Sequence, residues 1–189
     1  MTNIKTIAYD LDFLKNKFQF SDEDMTKVPQ NPFTYLRQAF KDTALRASQY
    51  KMLYKVIYTK KLLKTCRLVE TDTCERCNEQ VEDFKPLLWD CRYSANIWKE
   101  VEKQITERYE INIELKYHSI IMGVRQADYK NHEAINTITM AIKKRICYKD
   151  RLTCHDAKNI KNIIENRIKT EKYIEKKNGK TISKWDTRR

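Results

Sequence analysis

The chain is 189 residues long, with a formal net charge of +12, 41% hydrophobic and 34% charged residues. That apolar share suffices for a packed core and excludes wholesale disorder. No apolar run approaches the roughly 18 residues of a membrane span, and charges spread through residues 1–20 exclude a secretory leader. With only two glycines and three prolines there are few means of making tight hairpins, so the fold is expected to be mainly α, with at most one short strand or hairpin. An intracellular protein, cytoplasmic or nuclear and without a membrane partner, is expected, and its six cysteines then read as free thiols or metal ligands rather than disulfides.

The charge is unevenly placed. Residues 37–67 hold nine Lys or Arg against one acid, residues 68–114 hold six against twelve, and residues 141–189 hold sixteen against six. Two basic blocks flanking an acidic one suit a polyanion such as RNA or DNA better than a small acidic metabolite. An ordinary lysine-rich surface is the plainer alternative.

Residues 1–32 form an N-terminal segment with modest signals. Ile7, Leu11 and Leu14 stand at helical spacing, and Ser21-Asp22-Glu23-Asp24 reads as the cap of a second short helix. Tyr9-Asp10-Leu11-Asp12 is superficially like a polymerase signature, but its aspartates are separated. Two-metal phosphoryl chemistry needs converging carboxylates, so the stretch is rejected as catalytic.

After Pro29 and Pro32, a domain over residues 33–115 opens with a long helical pattern from about Phe33. Leu45, Met52, Leu53, Val56 and Ile57 share one face, while Tyr50, Tyr54 and Tyr58 form a second stripe beside Lys51 and Lys55. Rings beside ammonium groups suit single-stranded nucleic acid, the rings stacking bases and the cations holding phosphates. Alternatively, Tyr50 and Tyr54 pack against a partner helix. Thr59 reads as the N-cap of a short helix over Lys60–Thr65, which brings Lys60, Lys61 and Lys64 close to Arg67.

Cys74 and Cys77 then form a C-x-x-C pair, and Cys91 follows the apolar run Leu87-Leu88-Trp89. Two sulfurs on a tight turn and a third from the next element are how small zinc sites begin. A knuckle of this size places a histidine about five residues before the last cysteine; Pro86 stands there and offers no ligand. Cys66 or His118 is a candidate fourth ligand. A metal-free turn packed around Phe84, Leu87, Leu88 and Trp89 is the alternative. The fold is therefore expected to be a small helical domain built around a degenerate zinc-knuckle turn.

Four stretches together resemble the reverse-transcriptase zinc-binding domain, the C-terminal region of LINE-type (non-LTR) retrotransposon polyproteins. They are L-R-A-S-Q-Y-K-M-L-Y-K-V-I-Y-T-K-K-L-L (Leu45–Leu63), L-V-E-T-D-T-C-E-R-C (Leu68–Cys77), L-L-W-D-C (Leu87–Cys91) and I-W-K-E-V (Ile97–Val101). The likeness is clear over residues 45–105 and similar in layout through Ile120-Ile121-Met122-Gly123 to Lys184-Trp185-Asp186. The family pattern is C-x-x-C, a histidine and a last cysteine; Cys74, Cys77 and Cys91 match it and Pro86 departs. The resemblance implies a zinc cofactor, RNA or target DNA as ligand, and the element's polymerase as partner.

Ser94 reads as the cap of a helix carrying Ile97, Trp98, Val101 and Ile105 to the core. Ile111–Leu115 alternates like a short strand or an extended connection. C-terminal helices over residues 116–177 are expected to pack on the domain, with stripes at Ile135, Ile138, Ile142 and Ile146 and at Ile160, Ile164, Ile168, Glu171 and Ile174. Cys147, Cys154 and His155 match no common ligand spacing, and residues 178–189 are a basic tail.

With no Walker loop, dinucleotide fingerprint, HExxH or serine elbow, no enzyme activity is expected. The reading from sequence is a nucleic-acid-binding module of a retrotransposon reverse transcriptase, standing alone or truncated. Lys51, Lys55, Lys60, Lys61, Lys64 and Arg67 would contact phosphates, with Tyr54 and Tyr58 beside them. A helical protein-interaction module or a remnant that no longer binds zinc is the alternative.

Overall fold

The structure, a computed structural model, describes residues 11–29, 31, 35–36, 40, 42–148, 157–179 and 184–185. Among them every regular element is helical: α1 (Leu11–Phe18), α2 (Asp22–Lys27), α3 (Thr43–Leu53), α4 (Lys60–Thr65), a wide π-helical turn (Pro86–Asp90), α5 (Arg92–Tyr109), α6 (Tyr117–Met122), α7 (His132–Cys147) and α8 (Ala157–Lys177). Strand pairing is limited there to an isolated antiparallel bridge between Thr73 and Val81. No described helix is long and apolar enough to cross a membrane.

Local chemistry explains most boundaries. Ser21 and Asp24 make a reciprocal capping box at α2, and Asp42 caps α3 by accepting from the N–H groups of Ala44 and Leu45. Thr59 caps α4 by accepting from Leu62 N at 3.2 Å, as expected. The helix predicted to run on through Ile57 stops at Leu53. Lys55 takes a left-handed φ of 56°, its N–H reaches Met52 O, and the N–H of Val56 reaches Lys51 O. That reversal turns Val56 out to solvent and carries Ile57 into the core.

The organising helix is α7, buried on nearly every side, with α3, α6, α8 and the π-turn packed on it. Both isoleucine stripes face inward: Ile135, Ile138, Ile142 and Ile146 on α7, and Ile160, Ile164 and Ile168 on α8. On α8 the inward face continues as expected through Glu171 and then Glu175, both buried, whereas Ile174 is exposed. Leu14, Phe18 and Phe20 of the N-terminal segment, Trp98 of α5 and Trp185 join this same core, so it crosses every predicted boundary from residue 14 to 185. Residues 111–116 form the extended connection rather than a strand, burying Ile113 and Leu115 in alternation.

Gly123 closes α6 at φ +85°, and a Cβ there would stand 2.6 Å from Leu36 Cδ2 and 2.9 Å from Asn136 Oδ1. Asn136 Oδ1 accepts from Val124 N at 2.8 Å while its Nδ2 donates to Val124 O at 3.0 Å, so the neighbour that would have to give way is locked. Gly123→Ala is therefore expected to destabilise the fold by about 1–3 kcal/mol, read from urea denaturation. An unchanged midpoint would show that the amide clamp yields freely.

Candidate metal centre

The two halves of the cysteine site come from different local devices. Cys74 and Cys77 sit on a tight loop closed at its base by the Thr73–Val81 bridge, with Cys74 N donating to Gln80 O and Asn78 N to Cys74 O, both at 2.8 Å. Asn78 turns the chain with a left-handed φ of 55°. Cys91 is delivered from the other side by the π-turn, which Cys91 N closes on Pro86 O at 3.1 Å. Pro86 thus opens that turn, where its missing N–H costs nothing. The turn leaves Leu87 O free to accept from Ser94 Oγ and from Arg76 Nη2, and Leu88 O to accept from Trp98 Nε1 at 2.6 Å. Ser94 is therefore a buried tie inside α5 rather than its cap; the helix starts at Arg92, with Cys91 in the capping position.

The three sulfurs lie within 4.8 Å of one another and all three residues are buried. Cys74 Sγ and Cys91 Sγ are 3.9 Å apart. That is far beyond a disulfide bond of about 2.05 Å, and close to the roughly 3.8 Å spanned by two sulfurs bound tetrahedrally to one zinc at about 2.3 Å. Burial works against the Cys77 thiolate. The backbone N–H groups of Glu79 and Gln80 and the two neighbouring thiols outweigh it, so the Cys77 thiol is held below its ordinary value. Burial pushes Cys91 up, opposed by the N–H groups of Tyr93 and Ser94 in the first turn of α5 and by Arg76, although no capping hydrogen bond to Cys91 forms.

Arg76 is the residue that sequence reasoning missed. Its Nη2 donates to Leu87 O at 2.8 Å, but its Nε and Nη1 are buried without hydrogen-bond partners among the described residues. Buried donors left unpaired are costly, and here they stand beside acceptors that gain charge when a metal strips their protons. A divalent ion on three thiolates carries one net negative charge, which the guanidinium offsets. The donor set thus fits a soft, thiophilic ion such as zinc. Neither proposed fourth ligand belongs to the cluster: Cys66 is exposed, and His118 is buried with Nδ1 2.7 Å from Asp24 Oδ1, tying α6 to α2. Cys147 is buried on α7, and Cys154 and His155 lie outside the described residues.

Comparison with family models, with curated proteins and with solved structures finds no match to this chain.

The candidate nucleic-acid contacts are dispersed. Lys60 pairs with Glu75, Lys61 Nζ lies 2.6 Å from Asp83, and Lys64 Nζ lies 2.9 Å from Asp72. Lys60, Lys61 and Lys64 of the basic block are thus paired with acids of the cysteine turn. Lys64 holds the Asp72 carboxyl below its usual range; for Asp83, burial raises the value but Lys61 and the Phe84 N–H outweigh it. Lys55 points inward: its ammonium donates to Lys17 O and lies 5.3 and 5.6 Å from the Phe18 and Phe84 rings, and burial lowers its pKa. Lys51 and Arg67 are exposed and make no ion pair among the described residues. Tyr54 and Tyr58 are exposed, as is Tyr50, so the alternative of a partner helix covering Tyr50 and Tyr54 fails.

Proposed function

We propose that this protein is a non-catalytic, zinc-holding nucleic-acid-binding module of the kind found at the C-terminus of LINE-type reverse transcriptases. The observation that carries the reading is the convergence of the buried Cys74, Cys77 and Cys91 on one point, with backbone N–H groups lowering the Cys77 thiol and the Arg76 guanidinium acting against the burial that raises Cys91. The metal's work is architectural: once bound, it fixes the loop bearing Cys74 and Cys77 to the start of α5.

The nucleic-acid half of the reading rests on cations left in solvent. Lys51 and Arg67 are exposed, and so, separately, are Lys161, Lys169, Lys176 and Lys177 on α8. Such a surface holds phosphates by counterion release and is indifferent to sequence. RNA or DNA of the parent element is the expected ligand. The rival reading, a helical interaction module, drew on the isoleucine stripes; Ile160, Ile164 and Ile168 are used inside the core and leave it no surface there.

The test is zinc content of the purified chain together with anisotropy of a labelled RNA at about 50 and 200 mM salt. One zinc per chain and an affinity that falls about tenfold or more with salt are expected. A chain that takes up no zinc, or that leaves RNA unbound at the lower salt, rejects the corresponding half.

A further inference from the structure

Burial favours hiding aromatic rings, yet three near the junction of α1 and α3 stand in solvent: Phe13, Tyr50 and Tyr54, exposed by 58%, 57% and 46%. They are not scattered. The Tyr50 and Tyr54 rings, one helical turn apart, have centroids 4.4 Å apart and planes tilted by 35°. Lys17 Nζ lies 5.1 Å from the Tyr54 centroid and 5.2 Å from that of Phe13. Phe13, Lys17, Tyr54 and Tyr50 therefore form an unbroken row across two helices, and the exposed Lys51 follows Tyr50 in the chain.

An apolar patch bounded by polar groups marks an interaction site, and its composition selects the partner. Interface cores between proteins are enriched in arginine and depleted in lysine, whereas the cations here are lysines. Rings alternating with ammonium groups suit a ligand with stackable faces and a charged backbone. In a duplex those faces are already stacked on one another, so only unpaired bases can use the rings.

We propose that this row is a stacking platform for single-stranded nucleic acid, with bases on Tyr50, Tyr54 and Phe13 and phosphates on Lys17 and Lys51. The proposal rests on the nucleic-acid reading above and narrows it to unpaired strands. It also moves the contact away from the cysteine turn, whose lysines are already paired.

The experiment measures anisotropy of a labelled oligothymidylate of about 12 nucleotides, a length that spans such a site, and of a hairpin duplex, using the full metal-loaded chain at low salt. A Tyr50→Ala/Tyr54→Ala variant is expected to bind the oligothymidylate about tenfold or more weakly and the duplex nearly unchanged. Tyr50→Phe/Tyr54→Phe, which keeps both rings, should bind like wild type. Phe13→Ala, on the other helix, should repeat the selective loss and guards against misfolding of the tyrosine variant. Unchanged oligothymidylate affinity in the alanine variants would overturn the platform while leaving the module reading intact. A wild-type chain that binds neither probe would remove the reading itself. A dimer by light scattering that the alanine variants disrupt, with no oligonucleotide binding, would reassign the row to contact between copies of this chain.

Discussion

From pH 7 to pH 9 the wild-type chain is expected to gain about 2 kcal/mol of stability relative to a Lys143→Met variant. Lys143 lies in the middle of α7 with 1% of its surface exposed. Its Nζ donates to Gln49 Oε1 at 2.6 Å and Ile120 O at 2.7 Å, both neutral acceptors, and it makes no ion pair among the described residues. Burial pushes the amine down to about 7, with only the Cys147 sulfur acting the other way. A neutral amine has two N–H groups, and the two acceptors match them.

The sign follows from proton counting. In the unfolded chain the amine titrates near 10.5, so between about 7 and that value the unfolded state binds more protons and stability rises with pH. Below about 7 both states are protonated and this contribution becomes flat, at its least favourable level. Methionine leaves the two acceptors unpaired at every pH, a constant cost that does not alter the slope. Urea denaturation of both chains at the two pH values checks this; parallel profiles would show that the buried amine stays charged.

Cys91→Ala should abolish metal uptake and lower the melting temperature by roughly 8–16 °C. Two thiols remain after the substitution, too few to hold the ion. Free zinc about a thousandfold above its dissociation constant contributes about 4 kcal/mol, and each kcal/mol shifts a chain of this size by about 2–4 °C. Chelation of the wild-type chain should reproduce the shift, and the same chelator should leave the variant unmoved. Scanning calorimetry with and without chelator decides it. A wild-type chain that melts identically in both would show that packing of the three thiols, rather than a metal, holds the turn.

The helical periodicity was enough to find α5, α7 and α8, because each must bury one stripe against the others. The caps at Ser21 and Thr59 were legible for a different, local reason: a side-chain oxygen three residues ahead of an N–H needs no tertiary partner. The end of α3 was not legible. Its left-handed residue is Lys55 rather than glycine, and nothing in a lysine announces a stop. The pairing of Lys60, Lys61 and Lys64 with acids of the cysteine turn was equally hidden, since opposite blocks along a chain show their cancellation only once folded. Arg76 lay inside the C-x-x-C pair and could have been weighed as its counter-charge. One further signal was present and unread: residues 134–142 contain no charge on any helical face, the mark of a central helix.

The contacts of the cysteine turn also differ in reach from those of the core. Lys64 meets Asp72 eight residues on, Cys74 meets Cys91 seventeen on, and Lys61 meets Asp83 twenty-two on. By contrast, Lys143 reaches back 94 residues to Gln49, and Arg167 reaches back 125 to Asp42. Short loops close at lower entropic cost and sooner than long ones. The thiol cluster therefore belongs to the part of the molecule that can assemble while the rest of the chain is still open, and α8, which seals the core, depends on partners far behind it. Along a growing chain, the ligands of the site are all made before the helix that completes the fold has emerged.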